Sequence, residues 1–228
     1  MKNLRIKLND LLSNPAPRVP IACCLDVSGS MQKDKLRELN RGIAAFFESV
    51  RADQTAAASA ETAIITFSSE AKLIQDFLSV GSYSTIPQIP QASGCTAMGT
   101  GVTLALDQLE YQKQCFQKTG VDYYQPWLVL MTDGRPYGES REMTATAAAR
   151  CREMERTGKL TAFPIAIGND ADREALQKFT TGEVLRLKGL YFSEFFQWLS
   201  ASVVQVSQSR PGTTFSHDFG GMKKWRQI

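Results

Sequence analysis

The chain reads as an α/β protein with a doubly wound, mostly parallel central sheet, one antiparallel edge strand and helices on both faces. Three observations predict this. Short, nearly continuous apolar runs alternate with stretches of helical periodicity, as strands covered on both faces and their crossover helices require. Two of the apolar runs end in an aspartate, Asp26 and Asp133, a repeated strand grammar. One pair of runs is separated only by Ser68-Ser69-Glu70 and reads as a β-hairpin, which adds the antiparallel strand at an edge.

The first strand is Pro-Ile-Ala-Cys-Cys-Leu-Asp, residues 20–26. A helix is expected over about 32–51, because Leu36, Leu39, Ile43, Phe46, Phe47 and Val50 recur at spacings of three and four. The small-residue run 56–60 is taken as a linker into the hairpin strands 61–67 and 71–77. After a loop containing Pro87 and Pro90, a second helix is expected over about 99–118, with Val102, Ala105, Leu106 and Leu109 turned inward. Residues 127–133 form the next strand, 140–156 a helix presenting Met143, Ala147, Cys151 and Met154, and 160–167 another buried strand. A short helix near 172–179, with Asp170 and Asp172 read as caps, leads to a last strand at 184–187. Phe192, Phe195, Phe196, Leu199, Val203 and Val206 mark the final helix, their stripe taken as core. The organisation expected is an extension over 1–17, a domain over 18–206 and a tail over 207–228. Arg210-Pro-Gly opens the tail as a breaker, and Phe215, Phe219 and Trp225 leave both a disordered and a docked tail open.

Composition bounds the function. The 228 residues are 43% hydrophobic and 21% charged, ordinary globular usage that excludes disordered and fibrous classes. A formal charge of +3 is too small for a large phosphate-backbone footprint, so nucleic acid is not expected as a partner. No segment approaches the ~20 apolar residues of a membrane span, and the charged start Met-Lys-Asn-Leu-Arg-Ile-Lys lacks a signal-peptide core. Five cysteines, with Cys23 and Cys24 on opposite faces of one strand, read as buried thiols, and a cytoplasmic setting is expected. The cysteines lack zinc spacing, and the sole histidine, His217, lies in the tail, so neither zinc nor serine-hydrolase chemistry is expected.

The chemistry concentrates in Asp26-Val27-Ser28-Gly29-Ser30, one carboxylate and two hydroxyls between a strand and a helix. Alternate side chains of an extended turn point the same way, so Asp26, Ser28 and Ser30 can converge, with Gly29 supplying backbone freedom. An all-oxygen set suits a hard cation, above all Mg²⁺. Helix capping by the serines and a turn role for Asp26 are equally open on these residues alone.

The five-residue stretch resembles the D-x-S-x-S motif of von Willebrand factor type A (VWA, integrin I-like) domains, where it builds the metal-ion-dependent adhesion site. Two more elements of that family are present in order: Thr96 within Ala-Ser-Gly-Cys-Thr-Ala-Met-Gly (92–99), and Asp133 within Met-Thr-Asp-Gly (131–134). Cys95 stands where glycine is common in the family. The resemblance covers about 18–206. It implies that Ser28, Ser30 and Thr96 ligate a metal directly, and that Asp26 and Asp133 do so directly or through water. The cofactor implied is Mg²⁺, with Mn²⁺ or Ca²⁺ as alternatives, and the function is non-enzymatic binding of a partner protein's Asp or Glu. Within the family the chain most resembles the bacterial tellurite-resistance-associated (TerY-like) group. That implies a stress-response or phosphorylation-signalling setting, with a protein kinase or metal-dependent protein phosphatase as candidate partner. The rival reading is a haloacid-dehalogenase-like phosphotransferase with Asp26 as nucleophile. Such enzymes want a second aspartate two residues on, where this chain has Ser28.

Overall fold

An apolar run flanked by two helical stretches has to be buried on both faces, and residues 19–26 are buried without exception. The computed structural model describes residues 2–211. In chain order these form α1 (Lys2–Ser13), β1 (Val19–Asp26), α2 (Asp34–Arg51), α3 (Gln54–Ser59), β2 (Ala60–Phe67), β3 (Ala71–Ser79) and α4 (Met98–Thr119). There follow β4 (Trp127–Thr132), α5 (Arg141–Arg156), β5 (Thr161–Ile167), α6 (Arg173–Gln177), β6 (Leu185–Leu187) and α7 (Phe192–Ser207). The strands make one sheet in the order β3-β2-β1-β4-β5-β6, parallel except for the β2–β3 hairpin at one edge.

Two apolar layers cover the sheet. On one face Leu39, Ile43, Phe46 and Phe47 of α2 pack with Phe192, Phe195, Phe196 and Leu199 of α7, over Cys23 and Leu25. On the other, Val102, Leu106 and Leu109 of α4 pack with Ala147 and Cys151 of α5, over Cys24 and Ile65. Cys23 and Cys24 thus serve opposite faces as small buried hydrophobes, and burial pushes the Cys23 thiol up to about 12. Gly42 lets α2 and α7 approach closely: a Cβ there would lie 2.6 Å from a ring carbon of Phe196.

Helix ends follow local chemistry. Ser140 and Asp172 accept from the amides of Met143 and Ala175 at 3.1 and 2.9 Å, capping α5 and α6, and Gly120 ends α4 with φ +70°. One expectation changes and two gain detail. Residues 56–60 are no linker: α3 forms there because Asp53 caps it through the Ala56 amide, and Ala56 and Ser59 are buried. The stretch 1–17 contains α1, whose Lys7 pairs with Asp76 of β3 at 2.9 Å. The helix expected from 32 begins at Asp34, because Lys33 takes φ 58°, ψ −114° and breaks the turn before it. The tail residues Phe215, His217, Phe219, Lys223, Lys224, Trp225 and Arg226 lie outside the described residues.

The winding direction reverses between β1 and β4, which are adjacent in the sheet although α2, β2, β3 and α4 intervene in sequence. Such a reversal opens a crevice at the carboxyl ends of the two strands. Asp26 is the last residue of β1, and Asp133 directly follows β4.

Candidate functional site

Three loops meet at that crevice. The end of β1 and the loop after it carry Asp26, Ser28 and Ser30, the loop before α4 carries Thr96, and the loop after β4 carries Asp133. Backbone hydrogen bonds dock them together. The amides of Gly29 and Ser93 donate to the carbonyls of Gly94 (3.1 Å) and Val27 (2.7 Å), and Thr96 and Tyr137 exchange a pair at 2.9 and 3.0 Å.

Asp26 is fully buried, with both carboxylate oxygens engaged. One accepts from the Ser28 amide at 2.7 Å, the other from the Thr132 hydroxyl at 2.5 Å. Burial pushes its pKa up to about 6, against the Ser28 and Thr132 hydrogen bonds that lower it, and the Asp133 charge adds to the rise. The hydroxyls of Ser28 and Ser30 lie 3.1 Å apart, and the Ser30 hydroxyl donates to Asp133 at 2.6 Å. Asp133 is 2% exposed, and its second oxygen accepts from the ammonium of Lys35. The Thr96 hydroxyl faces the backbone beside Asp133: a Cβ on Gly134 would lie 3.7 Å from it. All five residues singled out in the sequence therefore lie on the three docked loops, with Ser30 the exposed member.

Neither serine acts as a helix cap. Ser28 precedes the 3-10 turn Gly29–Met31 without a side-chain hydrogen bond to it, and α2 begins only after Lys33. The serine pair is held toward Asp133 instead.

The glycine that shapes the site is not the expected one. Gly29 lacks a left-handed φ, and a Cβ on it would meet its nearest neighbour at an ordinary 3.7 Å. Gly94 has φ +85°, and a Cβ there would lie 2.5 Å from the Ser69 hydroxyl. Cys95, in the position where the family often has glycine, packs its side chain over Gly138, which has φ +83° and no Cβ to obstruct it.

Three residues not singled out in the sequence complete the surroundings. Thr132 ties Asp26 to the end of β4, and Lys35 pairs with Asp133. Glu139 accepts from the amides of Gly99 (2.6 Å) and Thr100 (2.9 Å) and from the hydroxyls of Thr100 (2.9 Å) and Thr144 (2.7 Å). That carboxylate fastens the loop bearing Asp133 to the start of α4, three residues from Thr96. Only Thr132 had a sequence signal, its place in Met-Thr-Asp-Gly. Lys35, in the first turn of α2, and Glu139, just before the cap of α5, look like ordinary solvated charges.

The donor set is two carboxylates and three hydroxyls, which matches a hard divalent cation. The Lys35 ammonium already sits against Asp133 as a protein-borne cation. Among the described residues no three His, Cys, Asp or Glu side chains group to hold a metal, so a thiolate- or imidazole-based centre has no counterpart there.

The von Willebrand factor type A domain family matches residues 21–194. The chain belongs to that family. Its VWA fold recurs in solved structures, among them a von Willebrand factor type A protein from Catenulispora acidiphila (18% identity, TM-score 0.60, 82% of this chain and 43% of that one). The pilus adhesin SpaC from Lactobacillus rhamnosus GG superposes with a TM-score of 0.66 at 14% identity, over 83% of this chain and 31% of the adhesin. Proximal thread matrix protein 1 from the mussel byssus, solved with a zinc-occupied MIDAS motif, gives a TM-score of 0.55 at 18% identity, over 83% of this chain and 48% of that one. This chain spans less than half the length of each, and at these identities the likeness is one of fold. No curated protein matches in sequence.

Proposed function

We propose that this VWA domain is a divalent-metal-dependent protein-interaction module, with Asp26, Ser28, Ser30, Thr96 and Asp133 holding the ion. Mg²⁺ is the proposed occupant, with Mn²⁺ or Ca²⁺ able to replace it. The observation that carries the reading is the convergence of two buried carboxylates and a serine pair, in which the serine hydroxyls cap no helix, pair with each other and reach Asp133 through Ser30. A zinc-occupied MIDAS motif in the mussel protein of the same fold supports it. When bound, the cation supplies an electrophilic coordination position for an Asp or Glu of the partner.

The chain's own residues prepare that position. Thr132 and the Ser28 amide fix the Asp26 carboxylate, so little freedom remains to be lost on binding. Docking of the 93–96 loop on Val27 and Gly29, and of Thr96 on Tyr137, sets the third loop. Exposed Ser30 leaves the cluster open to a visitor.

The nucleophile reading for Asp26 fares worse on the same geometry. Both its oxygens are engaged and the residue is fully buried, whereas attack on phosphorus needs a lone pair aimed at the substrate.

The finer placement belongs to the same proposal and rests on the sequence resemblance. The unit acting is residues 18–206, the setting is cytoplasmic, and the group is the tellurite-resistance-associated one with a kinase or metal-dependent phosphatase as partner. Among the described residues no helix is long and apolar enough to cross a membrane.

Two measurements test the reading. Calorimetric titration should show one Mg²⁺ or Mn²⁺ per chain, lost in Asp26→Ala. A pull-down from native lysate in Mg²⁺ should yield a partner that EDTA and Asp26→Ala both release. A partner retained under both conditions overturns the metal-bridged mode.

A further inference from the structure

We infer that Lys35 is a tethered counter-ion that competes with the metal and makes metal binding depend on an acidic ligand; this deepens, and rests on, the reading of the site as a metal centre. Asp133 is buried, one of its oxygens taken by Ser30 and the other by the Lys35 ammonium, on a side chain that is itself 30% exposed. Lysine is a point charge on a flexible stem, so it can withdraw into water without leaving a hole in the core. Among the described residues Asp133 is the one partner that holds Lys35 there.

The charges decide the consequence. Asp26 and Asp133 against Lys35 leave the cluster one negative charge in its ligand-free form. A divalent ion turns that into one positive charge, with the displaced ammonium still tethered to the first turn of α2, at the rim of the site. A single carboxylate from a partner then restores neutrality. Ion and acid therefore assist one another: the ion alone works against Lys35, and the acid alone meets two buried carboxylates. A site with a neutral side chain at this position reaches neutrality on the ion alone and gains nothing comparable from the acid.

The test is calorimetric titration of the full chain with Mg²⁺ or Mn²⁺ alone, for wild type, Lys35→Gln and Lys35→Arg. Removing the one competing positive charge that pairs with Asp133 should tighten binding by about tenfold in Lys35→Gln. Lys35→Arg, which keeps the charge, should stay close to wild type. Repeating the titrations in the presence of acetate should tighten the metal affinity of wild type by a larger factor than that of Lys35→Gln; an equal factor overturns the coupling. Wild type that binds metal while Lys35→Gln binds it equally or more weakly overturns the inference and leaves the metal site standing. If neither protein binds metal, the metal site and the inference fall together.

Discussion

At the amino end of β1, Arg18 is completely buried and donates to the carbonyls of Ala16, Ala58, Asp10 and Asn14 at 2.8–3.2 Å. Its guanidinium also lies 3.4 Å from Asp10 and from Glu61, which takes a further hydrogen bond from Gln112 at 2.7 Å. At the carboxyl end of the same strand, Asp26 and Asp133 are just as buried, yet their counter-charge is one partly exposed lysine and their other partners are mostly hydroxyls. The lower end is held by a rigid fork of donors tied to main chain, although among the described residues Arg18 Nε and Glu61 Oε2 find no hydrogen-bond partner, and it joins α1 to the sheet. The upper end uses groups that can be exchanged for a ligand. Buried charge alone therefore does not mark a functional site: what distinguishes the two ends is whether the counter-charge can leave.

That contrast breaks first at Arg18. Arg18→Ala leaves four main-chain carbonyls without their buried donor, a loss of at least about 3 kcal/mol. Urea denaturation checks it, and a loss under about 1 kcal/mol would mean the lower end is no latch. The variant's folded fraction should still bind metal.

Glu61 sharpens the contrast through pH. Burial pushes its carboxyl up from an ordinary 4.5 to about 8, against the pull of Arg18 and Lys7. The folded chain then holds a proton that the unfolded chain releases, so this group's contribution to stability is full below about 4.5 and declines as pH rises to about 8. Relative to wild type, Glu61→Gln should gain stability steadily across that window. A stability difference independent of pH would refute the shift.

At the upper end, Glu139→Ala should weaken metal binding by roughly tenfold, in the range seen when supporting residues behind metal ligands are removed. Circular dichroism should show α4 and α5 retained. Unchanged metal affinity would show that Thr96 and Asp133 hold their places without the carboxylate between their loops.

The smallest effect expected is a gain. Lys33 adopts φ 58°, ψ −114°, a region that costs a side chain of this kind of order 1 kcal/mol. Lys33→Gly should stabilise the fold by about that much in thermal denaturation, with metal affinity unaltered. A loss would mean that the lysine side chain repays its backbone strain through contacts.

The two ends also differ in how far the amino-acid order exposes them. Asp26, Ser28, Ser30, Thr96 and Asp133 were legible because each sits at a strand end or helix start within a short motif, and βα alternation places such positions together. The six strands were legible for the same reason: buried parallel strands are short apolar runs bounded by turns. Arg18, Glu61 and Gln112 were not, because the Arg18–Glu61 and Glu61–Gln112 contacts span 43 and 51 residues and no periodic pattern marks a buried charge. Lys35 and Glu139 were missed because a charge at or just before a helix start is ordinarily solvated. Residues 54–59 form a helix rather than a linker through a single Asp53 cap, a signal easily lost among small side chains.

The placement of Arg18 bears on how the molecule can be cut. The span recognised by family is 21–194, whereas the guanidinium that serves Glu61 lies three residues upstream of it, and Phe195, Phe196, Leu199, Val203 and Val206 of α7 lie downstream, all buried. A fragment trimmed to the recognised borders would leave a glutamate orphaned at one end of the sheet and a greasy trough where α7 had lain. Such a piece should aggregate when expressed, so experiments on this module belong on the longer chain.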